Sequence, residues 1–230
     1  MEPVNHTYKG LLYTISDSNS EHKGYLFGMS NYVEEEKFEY EAEVNQSFNQ
    51  SKSLVVSVDY HKHEIEINRA KLTHSTLKNL VSLVVKVLHN RMQLHTGSEK
   101  QFIQQAITNK TSIYELEDFN TIFPVSEKFE QYLIKIDENI EEFEKAEREM
   151  KVLINAVKNG VKLDIESIGL EKSVIEEHYT HNQKIACNID HLLKQDVYPF
   201  IVLNYIDLLG EKSLVTYLRS KNWTVTRLNA

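Results

Sequence analysis

Polar and apolar positions alternate near the start of the chain. Leu11, Tyr13 and Ile15 interleave with Leu12, Thr14 and Ser16, the period of two that a β-strand requires. The polar stretch SDSNSEHKG leads from there into the apolar Tyr25-Leu26-Phe27, closed by Gly28, which predicts two strands joined by a turn. The charged segment from Glu34 to about Gln50 reads as helical. Leu54 to Val58 is a β-branched run of the kind buried inside a sheet, so a crossover between parallel strands is predicted here.

Helical spacing dominates the middle of the chain. Leu77, Leu80, Val81, Val84, Val85 and Leu88 predict a buried helix from about Leu72 to Met92, with Lys78, Lys86 and Arg91 on its solvated side. A second helix is expected over Glu99 to Ile107 and a short strand over Ser112 to Leu116. After Pro124, Ser126 is a candidate N-cap and Glu127 is favourably placed in the first turn. The apolar stripe from Phe129 to Val157 predicts one helix of about thirty residues, stopped by Gly160 after Lys158-Asn159. Its Glu-rich outer face reads as solvated surface, with pairing to a second copy as the alternative.

A further helix is expected from Val174 to Lys194, with Val174, His178, Ile185, Ile189 and Leu192 on one face. The chain then predicts a strand over Tyr198 to Leu203, a short helix from Gly210 to Arg219 and a last strand around Trp223 to Leu228. Alternating strand and helix signals point to an α/β fold, with α+β as the alternative: a central mixed sheet covered by helices. Residues 1–230 read as one domain with a helical insertion at about 68–110.

Composition narrows the partners. Against 26 basic residues stand 34 acidic ones, a formal charge of -8 with no basic block, so nucleic acid is not expected as a partner. No stretch approaches the ~20 apolar residues that span a bilayer, and the opening MEPVNHTYKG lacks an apolar core after a basic segment. A cytoplasmic protein is therefore expected, or a secreted one if a leader has been removed. Cys187 is the one cysteine; it cannot form an intrachain disulfide, and its place in an apolar helical pattern reads as packing.

Few patterns carry recognisable chemistry. Gly-rich phosphate loops, Cys-x-x-Cys pairs, Gly-x-Ser-x-Gly elbows and His-Glu-x-x-His helices are all missing from the sequence. If the strand begun at Leu54 continues, Asp59, His61 and His63 share one face, with Glu64 or Glu66 near on the other. That is the alternative site for a divalent metal. No cofactor is favoured.

The opening TYKGLLYTISD followed by KGYLFGMSNY resembles that of the TraB/GumN and Tiki family, in which a second strand ends in an LFGTxH-like motif. Gly28 matches, and Asn31 occupies the expected histidine position. The following helix and LVVSVD resemble the family's next strand, with Ser57 near the expected glutamate. Glu117 in Tyr-Glu-Leu-Glu, the acidic helix and the terminal helix-strand-helix-strand order extend the likeness over residues 10–60 and about 105–229. His181-Asn182 stands where the family has an Arg-Asn pair, and Asn204-x-x-Asp207 where it has Gly-x-x-His.

The resemblance implies a metal-dependent peptide hydrolase whose ligands have largely been replaced. Asn31 offers only a carbonyl oxygen, Ser57 cannot stand in for a carboxylate, and Asp207 alone remains a good anionic ligand. The expectation is a catalytically degenerate protein binding a peptide or protein partner through Asn31, Glu117, His181, Asn182, Asn204 and Asp207. Two alternatives stand beside it: a divergent metal-dependent hydrolase and a helix-mediated homo-oligomer. In the plainer reading of the same residues, Asn31 and Asn204 stabilise turns, Glu117 and Asp207 cap backbone, and His181 lies on a helix surface.

Overall fold

The computed structural model describes residues 6–35, 37–57, 83–96, 98–117, 131–168 and 172–228. Its strands are β1 (His6–Tyr8), β2 (Leu11–Ser16), β3 (His22–Met29), β4 (Tyr32–Val33), β5 (Phe38–Tyr40), β6 (Ser53–Val56), β7 (His95–Thr96), β8 (Ser112–Glu115), β9 (Pro199–Asn204) and β10 (Thr224–Arg227). The α-helices are α1 (Ala42–Gln50), α2 (Ser98–Asn109), α3 (Ile140–Asn159), α4 (Lys172–Leu193) and α5 (Leu214–Ser220).

The fold is mixed α/β around a six-stranded mixed sheet in the order β10-β2-β3-β9-β6-β8. The β10–β2 and β2–β3 pairs are antiparallel, whereas β3, β9, β6 and β8 run parallel. β9 enters between β3 and β6, pairing Phe27 with Val202 on one side and Val55 with Ile201 on the other. Phe200, Ile201 and Val202 are fully buried, the continuous apolar run expected of a strand covered on both faces.

One face carries an aromatic cluster. Phe200 packs on Phe27, on Phe48 of α1 and on Phe102 of α2 with ring centroids 5.9, 5.5 and 5.1 Å apart. Such contacts contribute about 0.5–1.5 kcal/mol each beyond their buried area, so they fasten α1 and α2 to the centre of the sheet. Leu26, Ile201 and Val55 alternate with these residues along their strands, point to the other face, and are likewise fully buried.

Several predicted elements differ in the structure. The segment from Glu34 to Gln50 is helical only from Ala42; before it, alternating Phe38 and Tyr40 are buried on β5, which pairs with β1. Of the helix expected from Leu72 to Met92, the described part is a π-helical turn at Val85–Arg91; residues 72–82 lie outside the described residues.

The single long helix expected after Pro124 is two helices. Helical residues 131–138 end at Asn139, whose backbone is extended and whose side chain caps α3. Asn139 Oδ1 accepts from Glu141 N at 2.9 Å and Glu142 N at 3.4 Å. In an uninterrupted helix the Glu141 N–H would bond the Asp137 carbonyl. That carbonyl instead accepts from the Arg91 guanidinium at 3.2 Å, which also stacks 3.8 Å over the Phe143 ring. The candidate cap at Ser126 lies outside the described residues. At its far end α3 stops at Gly160, left-handed with φ 63°, where glycine avoids the Cβ strain of that conformation.

Replacing the Asn139→Ala side chain removes the acceptor for two backbone donors. It should lower stability by about 0.5–2 kcal/mol, read as a lower urea midpoint with an unchanged slope.

Candidate functional site

Because β3, β9, β6 and β8 are parallel, their C-terminal ends lie on one side of the sheet. They finish at Met29, Asn204, Val56 and Glu115. The path out of β6 leads to β8 at one edge and the path out of β9 leads to β10 at the other. In open sheets of this kind, the space beyond the carboxyl ends of neighbouring strands whose exits diverge is the usual ligand position.

Four short segments line this end. Past β8 the ladder continues, with Leu116 N donating to Val56 O at 2.9 Å and Glu117 N to Ser57 O at 3.0 Å, which sets Glu117 beside Ser57. Past β9, Asn204 Oδ1 accepts from Ile206 N at 3.2 Å and starts a 3₁₀ turn, Tyr205–Leu208, that carries Asp207. The turn packs on Gly28, where an added Cβ would meet Leu208 Cδ1 at 2.5 Å; this close approach explains why the position just before the end of β3 is glycine.

Helix α4 closes the site. Asn188 Nδ2 donates to Leu116 O at 2.7 Å, and Asn182 Nδ2 donates to Asp207 O at 3.3 Å and Lys212 O at 3.5 Å. These amide bonds fix the helix's rotation, and His178 and His181, three residues apart on one side, then meet the two carboxyls. His178 Nε2 lies 3.2 Å from Asp207 Oδ1, and His181 Nε2 lies 3.5 Å from Glu117 Oε2.

Burial governs the charge state of the inner pair. Desolvation pushes the Asp207 carboxyl up to about 7; a backbone hydrogen bond at Asn204 opposes this and the Glu117 carboxylate adds to it. Desolvation likewise lowers His178, partly offset by a hydrogen bond to the Ile206 backbone and reinforced by His181. The distance to Asp207 suits an ion pair, yet both shifts favour the neutral forms, since removing two charges from water costs more than their attraction returns. The approach is also off line for a hydrogen bond: His178 Nε2 is buried without a partner, as is Asn182 Oδ1.

Of the residues singled out by sequence, Glu117, His181, Asn182, Asn204 and Asp207 come together. Asn204 does so as a turn-forming cap, the plainer role weighed for it. Asn31 lies two residues past β3 at the same end of the sheet, but its side chain is exposed and makes no hydrogen bond to the others. Asp59, His61 and His63 lie outside the described residues.

His178 is the participant that sequence reasoning passed over, having assigned it to an apolar face; its spacing of three from His181 and four from Asn182 is the signal that marks it. Cys187, expected to pack inward, is exposed. Ile185, Ala186 and Ile189 occupy the buried side of α4 and turn Cys187 outward.

Among the described residues, no three His, Cys, Asp or Glu side chains converge on a point that could hold one metal ion. A shallow depression of about 350 Å³ lies elsewhere, over Gln101, Gln104, Gln105, Thr108 and Asn109 of α2. It is formed by a single helix and holds no ionisable group.

The raised Asp207 carboxyl has a consequence for stability. Between about pH 4 and 7 the folded chain keeps a proton that the unfolded chain has lost, so Asp207 costs stability as pH rises through that window. His178 works in the opposite sense: as pH falls below about 6.5 the unfolded chain takes up a proton there that the folded chain resists, which destabilises the fold. Asp207→Asn removes the first slope and keeps the second. Urea midpoints from pH 4 to pH 8 should therefore show the variant gaining on the parent with rising pH.

No protein-family model matches this chain, nor does any curated protein or any solved structure.

Proposed function

We propose that the crevice at the carboxyl ends of the parallel strands binds a peptide or another polar ligand, on a TraB/GumN and Tiki-like scaffold that has lost the family's metal chemistry. The observation that carries this reading is the gathering of Glu117, His178, His181, Asn182 and Asp207 at one end of the sheet, with two buried polar atoms left unpaired. Buried polar groups are ordinarily satisfied, and orphans beside a crevice are the groups a ligand would engage.

The donor set does not suit the metal that the resemblance implies. The expected histidine is an exposed asparagine, Ser57 takes the place of a carboxylate, and His178 and His181 on α4 each already face a carboxyl. A second reading, acid–base hydrolysis without those ligands, draws support from one observation: a carboxyl pushed up to about 7 beside a neutral imidazole is suited to passing a proton.

A random peptide library displayed on phage separates these readings. Enrichment of a common motif by the parent protein, lost in a Glu117→Gln/His181→Ala double variant that keeps its unfolding midpoint, supports the binding site. Enrichment indifferent to the double variant would place binding elsewhere. Cleavage of the selected peptides, abolished by Asp207→Asn, would favour the hydrolytic reading.

A further inference from the structure

Acceptors outnumber donors at this end of the sheet. Glu117 and Asp207 bring carboxyl oxygens, and Asn182, fully buried, leaves Oδ1 without a donor. The identity of that atom is firm, since the amide nitrogen is the one facing two carbonyls. Neutral His178 leaves Nε2, buried and 3.2 Å from Asp207 Oδ1, without a hydrogen bond.

Positive charge is scarce around these groups. Among the described residues no Lys or Arg pairs with Glu117 or Asp207. The nearby Lys212 ammonium is held 3.3 Å from Glu176 and 5.3 Å from the Tyr179 ring centre. Besides the proton that Asp207 keeps, His181, 3.5 Å from Glu117, is the side-chain donor left to set against these acceptors. The two carboxyls meanwhile oppose one another, Glu117 disfavouring the charged form of Asp207.

From this imbalance, and resting on the ligand-crevice reading above, we propose that the site holds an organic cation, the guanidinium or primary ammonium group of a ligand, between Glu117 and Asp207. Such a group carries a positive charge and several N–H donors, the two things the cluster lacks. A bare divalent ion suits it less well. Zinc needs its ligands at about 2.0–2.3 Å, and no three candidates converge so closely among the described residues. Hydrogen bonds of about 2.7–2.9 Å radiating from a planar guanidinium reach across a wider set.

Binding should draw Asp207 into its ionised form. The groups facing Asp207 are His178 of α4, Glu117 past β8 and the backbone at Asn204, while His181 faces Glu117. Of these, Glu117 opposes ionisation, so an entering cation that screens it releases a proton. At pH 6, below the Asp207 midpoint, the free site still holds most of that proton, so the release is readable there.

Titration calorimetry on the full chain tests the assignment with acetyl-Gly-Arg-Gly-amide, the same tripeptide with citrulline for arginine, free arginine amide, succinate and zinc. The arginine tripeptide should bind at least about tenfold more tightly than its neutral counterpart. At pH 6 its heat should vary with the ionisation enthalpy of the buffer. Glu117→Gln should erase the preference while Glu117→Asp retains it, and Asp207→Asn should erase the proton release. Binding of arginine amide without the tripeptide would assign a free amine or guanidine instead of a peptide side chain. Equal affinity for both tripeptides, or no binding by either arginine probe, overturns the cation assignment. Succinate or zinc bound in a manner sensitive to His181→Ala overturns it too, while leaving the crevice itself in place.

Discussion

The insertion of β9 between β3 and β6 is the constraint on which the rest of the structure depends. A strand from the last third of the chain takes the central position of a sheet whose other strands come from its first half and its C-terminus. Its residues Phe200, Ile201 and Val202 are removed from water on both faces, and it hydrogen-bonds to parallel neighbours on both sides. Burial of that apolar run offsets the entropy of closing a long loop. Parallel pairing then dictates that the end of β9 emerges beside the ends of β3 and β6. Asp207 can reach Glu117 and α4 only because of that alignment.

The same insertion explains the charge states. Closing α4 over the turn after β9 buries a carboxyl and an imidazole together, and Asn182 holds the two segments in place through backbone carbonyls. Once the Asp207 side chain is 11% exposed, desolvation exceeds the attraction of a histidine 3.2 Å away. A site assembled this way is polar but close to neutral at Asp207 and His178, with His181, 41% exposed, at its mouth over a well-buried Glu117 side chain.

Much of the fold was legible in the sequence where one local signal sufficed. The alternation through Ile15, the apolar run before Asn204 and the glycine after Lys158-Asn159 each correspond to an observed strand or helix end. Elements that depend on a distant partner were not legible. The break at Asn139 needs Arg91 to take a carbonyl that helix formation would otherwise satisfy, and β5 needs β1 to pair with. Periodicity within one segment carries neither fact.

The candidate site divides along the same line. Glu117, His181, Asn182 and Asp207 stood out because they follow strands or occupy a helix at points where the resemblance anticipates polar residues. His178 required the rotation of α4 about its axis, which the amides of Asn182 and Asn188 set, and this is a tertiary fact. Asn31 shares the end of the sheet without joining the cluster, since position past a strand does not determine where an exposed side chain turns.

Carboxyl-carbon NMR of Asp207 in the parent chain and in Glu117→Gln tests the convergence of these groups most directly. The account requires an Asp207 midpoint near 7 in the parent, moving down when the neighbouring charge is removed. A midpoint in the ordinary aspartate range, or one that ignores Glu117→Gln, would contradict it.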